Sequence, residues 1–277
     1  MTGKPLRCVT ILTVLLAVSL AAVSICGAFV PGTYSRDAAS LAAQGIGQDL
    51  VNLFLVVPLL AGSLAFIRRG SRAALLIYAG TVFYILYSFV IYALGVHFNR
   101  LFLAYCLTLG LSFYAFILIM IEMAKMDVEN WYGPGLPVRL TGFYLVVVSA
   151  LFYLLWLKDV LPAVINNTVP RSVSDYQLLV NPVHVMDMAI ALPGLVIAAL
   201  LLMRRRRLGY ILAPAALVFT VVLAIALAGM VVMSKAKGVS EDISIAAIFI
   251  VLAVISGIFL ETFLKRLKNR NPGIISG

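Results

Sequence analysis

Long uninterrupted runs of apolar residues dominate this chain, and short polar segments separate them. Eight runs are long enough to cross a bilayer, whose hydrocarbon core of roughly 30 Å requires about 20 helical residues. The runs are continuous rather than alternating, which favours helices over the strands of a β-barrel. The predicted spans are Val9–Val30, Ile46–Ile67, Ala73–Gly95, Leu101–Ala124, Val138–Leu161, Pro182–Met203, Leu208–Met233 and Ile243–Leu264. The pattern therefore predicts an all-α fold, a polytopic transmembrane helical bundle of about eight spans.

Composition points the same way. The 277 residues are 63% hydrophobic and only 12% charged, with a mean hydropathy of +1.09, whereas an average soluble domain is about 25% charged. So little charge cannot cover a surface in contact with water, which excludes a soluble globular protein and a disordered chain. Because the loops are short, we expect residues 1–277 to form a single integral membrane domain with the lipid bilayer as its main partner.

Basic residues determine the predicted orientation. A net charge of +10 would suggest nucleic acid in a soluble protein, but here Lys and Arg cluster at the ends of the apolar runs. Fifteen of the 21 lie in alternate loops, counted from the N-terminal segment, and the last of these is Arg270. The positive-inside rule places those loops in the cytoplasm. We therefore predict cytoplasmic termini, no nucleic-acid partner and a location in the cell membrane, the cytoplasmic or inner membrane of a prokaryote.

Two arginine clusters follow the second and sixth runs. Orientation alone explains them, and contact with anionic lipid head groups is the alternative. They comprise Arg68, Arg69, Arg204, Arg205, Arg206 and Arg207.

The first run has two interpretations. Lys4 and Arg7, an apolar stretch and then Cys26-Gly27-Ala28 resemble a signal peptide with a small-residue cleavage site. The stretch is longer than the apolar region of most signal peptides, which favours a retained span. Cleavage would leave seven spans and change nothing else in the topology.

Runs two and six look alike when the sequence is shifted by 135 residues. Pro58 then falls on Pro193 and Asn52 on Asp187, and both runs end on arginines. Four spans separate the two, so they would share one orientation. This pattern predicts a weak parallel repeat, residues 1–135 and 136–270.

Ionisable residues inside the spans are the best candidates for function, because each costs about 2.5–3.5 kcal/mol at a helix centre. Asp49 with Asn52, and His184 with Asp187, are pairs spaced three apart, so each pair shares one helix face. Both pairs lie in the predicted outer part of their spans. With Asn99 and Asn181 nearby, they predict one polar, outward-facing binding pocket for a substrate or ion. The candidate residues are Asp49, Asn52, Asn99, Asn181, His184 and Asp187.

Carboxylates and imidazole are ordinary metal ligands, so Asp49, His184 and Asp187 are candidates to hold a divalent metal. The alternative is structural. Asp49 would then cap a helix N-terminus, and Asn181-Pro182 would be a normal helix start. Glu122 and Glu261 are different, because a lysine follows each at ion-pair spacing.

The third run is rich in tyrosine: Tyr78, Tyr84, Tyr87 and Tyr92. An aromatic packing stripe is the simpler interpretation, and donation of hydrogen bonds into the polar pocket is the alternative.

Three functions stay open. The first is a transporter or permease for a small solute or ion. The second is an intramembrane metal-dependent hydrolase or lipid-modifying enzyme. The third is a non-catalytic membrane subunit or sensor, in which the polar residues serve helix packing. No nucleotide-binding, zinc-protease or serine-hydrolase motif separates them.

Overall fold

Eight long helices make up the structure, a computed structural model that describes residues 3–240 and 242–268. About 80% of the chain is helical, the described part contains no strand, and all eight helices are long and apolar enough to span a membrane. The predicted fold class is therefore confirmed. Arg270 and the end of the predicted second repeat lie outside the described residues. The helices are α1 (Lys4–Phe29), α2 (Ala39–Arg68), α3 (Arg72–Gly95), α4 (Phe102–Ala124), α5 (Val138–Ile165), α6 (Pro182–Met203), α7 (Gly209–Ala236) and α8 (Ser244–Lys265).

Several helices are longer than the apolar runs that predicted them. The helix α2 begins at Ala39 rather than Ile46, because the small and polar residues before Ile46 are good enough helix formers to add turns. This start places Asp49 inside the helix, so the expectation that Asp49 caps an N-terminus is wrong.

The helix α3 lies at the centre of the bundle and is the most buried of the eight spans. It packs against α2, α4, α6 and α7, whereas α8 rests on α7 at the periphery. Glycines let the central backbones approach closely. A Cβ on Gly47 would lie 2.5 Å from the carbonyl oxygen of Gly229. A Cβ on Gly80 would overlap the carbonyl oxygen of Ala215. Small residues of this kind are how helices pack within lipid.

Two π-helical segments interrupt the spans, at Asn52–Val56 in α2 and Asp187–Ala191 in α6. Each precedes a proline by two residues, Pro58 or Pro193. Proline lacks an N–H group and its ring clashes with the preceding turn, and the wider π-turn relieves both problems. In α6 the carbonyl of Met188 would accept a hydrogen bond from the backbone N–H of residue 193 in a π-turn, but Pro193 has no N–H. The hydroxyl of Tyr153 donates to this carbonyl instead, at 2.7 Å.

The helix α1 packs into the bundle through polar as well as apolar contacts. The Thr13 hydroxyl lies 2.7 Å from that of Tyr78, and the Ser19 hydroxyl lies 2.7 Å from that of Thr108. These buried hydrogen bonds tie α1 to α3 and α4. Whether the first span is cleaved stays a prediction.

The short connection between α4 and α5 is hydrogen-bonded to other segments at the end of the bundle that is predicted to be cytoplasmic. After the 3-10 turn Val128–Trp131, Gly133 donates to the carbonyl of Arg266 at 2.8 Å. The Tyr132 hydroxyl donates at 3.1 Å to the carbonyl of Tyr210. Pro214 leaves that carbonyl without its usual helical partner, so Tyr132 replaces a missing hydrogen bond.

Candidate functional site

The first of two polar clusters surrounds Asp49, close to the end of the bundle that is predicted to face outward. The Tyr34 hydroxyl donates to the Oδ2 atom of Asp49, and the Tyr92 hydroxyl donates to its Oδ1 atom at 3.0 Å. One turn along α2, Asn52 accepts from the Tyr84 hydroxyl at 3.0 Å. Asp49, Asn52, Tyr84 and Tyr92 are all essentially inaccessible to solvent. We call this group the Asp49 cluster.

The Asp49 carboxylate fits because α1 has no side chain at the contact. A Cβ on Gly27 would overlap the Oδ2 atom of Asp49 and lie 2.6 Å from the Tyr34 hydroxyl. Tyr34 comes from the loop between α1 and α2, outside the spans, and folds back into the bundle. Its burial, with Tyr92 and Asp49 adjacent, raises the pKa of Tyr34 well above its usual value.

The second cluster surrounds Asp187, the first residue of the π segment of α6. Its Oδ1 accepts from the Tyr87 hydroxyl at 2.8 Å and its Oδ2 from the indole N–H of Trp156 at 2.7 Å. The Trp156 ring packs on the ring of His184, with centroids 4.7 Å apart. Asp187 and His184 are both buried. We call this group the Asp187 cluster.

The central helix α3 supplies donors to both clusters. Tyr84 and Tyr87 are three residues apart, so they project from neighbouring positions on that helix. Tyr84 binds the first residue of the π segment in α2, and Tyr87 binds the first residue of the π segment in α6. Tyr84, Tyr87 and Tyr92 therefore donate hydrogen bonds to polar groups. The rings of Tyr87 and Tyr92 also pack against aromatic neighbours, so these two residues combine both interpretations of the third span.

The two aspartates differ from the acids at the opposite end of the bundle in their partners. Glu122 pairs with Lys125 at 2.6 Å, and Glu261 pairs with Lys265 at 2.7 Å, as their spacing predicted. Within residues 3–240 and 242–268, neither Asp49 nor Asp187 forms an ion pair. Both carboxyl groups are held only by neutral donors.

The remaining predicted residues have local roles. Asn181 caps α6, since its side chain accepts from the backbone N–H of Val183 at 3.0 Å, which confirms the helix-start interpretation. Asn99 accepts from the N–H of Leu101 and donates to the Tyr105 hydroxyl at 3.1 Å. The ring of Tyr105 packs against Tyr92 of the Asp49 cluster.

The candidate metal ligands belong to different clusters, Asp49 to one and His184 with Asp187 to the other. Among the residues that the structure describes, no group of three His, Cys, Asp or Glu side chains is placed to hold a metal ion. Buried polar atoms without a hydrogen-bond partner nevertheless remain beside both clusters, within the part of the chain that the structure describes. In the same part of the chain, Asn52 Nδ2, Ser88 Oγ and His184 Nε2 are buried without a hydrogen-bond partner.

Asp187 also borders a small cavity between α5, α6, α7 and α8. The cavity measures about 30 Å³ and its other lining residues include Phe152, Phe219, Thr220 and Leu252. One water molecule needs at least about 10–15 Å³. The cavity therefore has room for water or a bare ion, and not for a larger solute.

Sequence reasoning missed three residues of these clusters. Gly27 belongs to the possible cleavage site, Tyr34 lies in a loop, and Trp156 resembles an ordinary aromatic in a span. A hydrophobic pattern does not show which helices are neighbours, so it could not assign these partners.

Comparison of the chain with protein-family models, with curated proteins and with solved structures finds no match.

Proposed function

We propose that this multi-pass membrane protein is a transporter of a small solute or ion, with Asp49 and Asp187 as its coupling groups. One observation carries the proposal. Two buried carboxyl groups lie on two spans that are interrupted by π-turns, and each accepts one hydrogen bond from a tyrosine of the central helix α3 and a second from another neutral donor.

Electrostatics supports a coupling role for these groups. An ionised carboxylate buried without a countercharge is expensive, and most such groups in membrane proteins mark ion or proton pathways. A proton or a small cation removes that cost. Each aspartate is therefore suited to bind a proton or a cation and to release it when the surroundings change.

The helix interruptions support motion at the same positions. π-turns and prolines are the usual causes of bends in helices, and interrupted spans line the binding sites of many transporters. The two π segments stand in equivalent positions when the chain is shifted by 135 residues, since Asn52 aligns with Asp187 and Val56 with Ala191. This agreement supports the parallel repeat as part of the proposal.

The membrane placement is also part of the proposal. The distribution of Lys and Arg supports cytoplasmic termini in an inner membrane, with both clusters close to the outer side. The buried hydrogen bonds of α1 support a retained first span. Arg68 ends α2 and Arg69 follows it, and residues 204–206 follow α6; these arginines would then face the anionic head groups of the inner leaflet.

Ion-dependent stability tests the binding step. The unfolding temperature of the purified protein is measured in NaCl, KCl and N-methylglucamine chloride at equal ionic strength, at pH 6 and pH 8. A ligand present at a hundredfold excess over its Kd stabilises by about 2.7 kcal/mol. We expect one of the two cations, or the more acidic pH, to stabilise the wild type and to have no effect on Asp49→Asn/Asp187→Asn.

Glu261→Gln is the matched control, because Glu261 is an exposed carboxylate whose lysine partner is also exposed. It should respond to ions as the wild type does. An identical response from the wild type and the double aspartate variant would refute the proposal.

A second candidate function, a non-transporting subunit or sensor, is favoured by one observation. All four carboxylate oxygens of the two aspartates already accept a hydrogen bond from the protein. In that case Asp187→Asn would lower stability modestly and remove no ion response, because the wild type would have none. The metal-dependent enzyme stays a prediction of the sequence.

A further inference from the structure

A larger cavity lies apart from both clusters, at the end of the bundle that is predicted to face outward. It measures about 360 Å³, is open to the surroundings, and is lined by the last turns of α3, the loop that precedes α6 and the first turns of α6. Ligand sites commonly have volumes of about 300–1,000 Å³. Among its lining residues only His97 and Gln177 carry polar side chains, so the cavity suits an apolar ligand.

The rim of this cavity is apolar and exposed. Leu94 of α3, Leu179 of the loop and Val185 of α6 have exposed fractions of 73%, 100% and 50%. Leu178, Leu179 and Val180 form a continuous apolar stretch in a loop, which is typical of a segment that enters the membrane interface. The rim is thus continuous with the lipid-facing surfaces of α3 and α6, and a ligand would enter from the bilayer.

Charged side chains of both signs, Asp37 and Arg36, lie beside the polar side of the cavity. The His97 ring lies 2.8 Å from Asp37, which also accepts from the His97 backbone N–H. Arg36 donates to the carbonyl of Phe98, the residue after His97, at 2.7 Å. The Asp37 carboxylate is bound to His97, whereas the exposed guanidinium of Arg36 donates to a neutral carbonyl next to the cavity lining. Arg36 is therefore the charge available to a head group, and an apolar cavity beside it matches a lipid that has an acyl chain and an anionic head group.

We propose that this cavity binds one acyl chain of an anionic phospholipid from the adjacent leaflet, with the head group near Arg36. This site is separate from the proposed transport function. Met186 lines the cavity and directly precedes Asp187, where the π segment of α6 begins. A bound chain would therefore support α6 immediately before its interruption.

Photolabelling tests the site. The whole protein is placed in nanodiscs that contain phosphatidylglycerol with a diazirine on one acyl chain, irradiated, digested and mapped by mass spectrometry. We expect adducts to concentrate in residues 90–97 and 177–186. Val185→Trp, which fills the cavity, should reduce them several-fold. Val14→Trp should not, because Val14 is equally exposed on α1, away from the cavity.

Folding and head-group controls complete the experiment. Leu94→Trp fills the same rim from α3 and replaces Val185→Trp if that variant unfolds at a lower temperature. Arg36→Ala should reduce labelling by the phosphatidylglycerol probe more than labelling by a phosphatidylcholine probe. Adducts spread evenly over all lipid-facing helices, or labelling that neither tryptophan variant reduces, would overturn the proposed site. Equal losses for the two head groups would overturn the role of Arg36.

Discussion

The contact between Gly27 and Asp49 leads to a quantitative prediction. A Cβ at position 27 would overlap the Oδ2 atom of Asp49 and crowd the Tyr34 hydroxyl at 2.6 Å. In Gly27→Ala, either α1 moves away from α2 or the Asp49 side chain turns and loses the bond from Tyr34. A hydrogen bond to a charged group contributes about 1.5–3 kcal/mol, and overpacking costs about 1–3 kcal/mol. We expect Gly27→Ala to lower the free energy of unfolding by at least about 2 kcal/mol.

Gly62→Ala provides the matched control, because a Cβ at Gly62 of α2 would meet nothing within 4 Å. Alanine is the better helix former by about 1 kcal/mol, so this variant should be as stable as the wild type or more so. The assay is thermal unfolding of the purified variants in one mild detergent. At about 2–4 °C per kcal/mol for a chain of this size, Gly27→Ala should unfold at least about 4 °C below Gly62→Ala. Equal unfolding temperatures would refute the packing argument at Asp49.

Two further predictions concern tyrosines outside the spans. Tyr132→Phe leaves the Tyr210 carbonyl without a donor, and we expect a loss of about 1–3 kcal/mol in chemical unfolding; an unchanged midpoint would show that Pro214 needs no such compensation. Burial raises the pKa of Tyr34, so the stability that its neutral form provides is complete below the ordinary tyrosine pKa of about 10 and is lost as the pH rises beyond it. Unfolding temperatures measured from pH 8 to pH 11 should fall less steeply for Tyr34→Phe than for the wild type, and equal slopes would contradict the assignment.

The spans could be predicted from the sequence because lipid imposes a simple rule on it. A backbone in hydrocarbon must satisfy its own hydrogen bonds, so each long apolar run has one available conformation. Helix ends were less predictable. The segment before Ile46 is polar enough to resemble a loop, yet it adds turns to α2 because tertiary packing and modest helix propensity suffice there.

The clusters could be predicted only in part. Asp49, Asn52, His184 and Asp187 are conspicuous because polar groups are rare inside apolar spans, and the structure buries all four. Their grouping depends on which helices are neighbours, and hydropathy carries no information about that. In the structure these residues belong to two hydrogen-bonded clusters that share donors from α3, and the outward-facing binding pocket stays a prediction.

The most direct test of the central claim is charge movement after a pH jump. Proteoliposomes adsorbed on a solid-supported membrane are switched from pH 8 to pH 6, with no solute present, and the displaced charge is recorded. Protonation of Asp49 and Asp187 within the bundle should give a transient current in the wild type and in Glu261→Gln, and none in Asp49→Asn/Asp187→Asn. A transient that survives in the double aspartate variant would contradict the account. So would the absence of a transient from the wild type both after this pH jump and after a jump from N-methylglucamine chloride to NaCl or KCl.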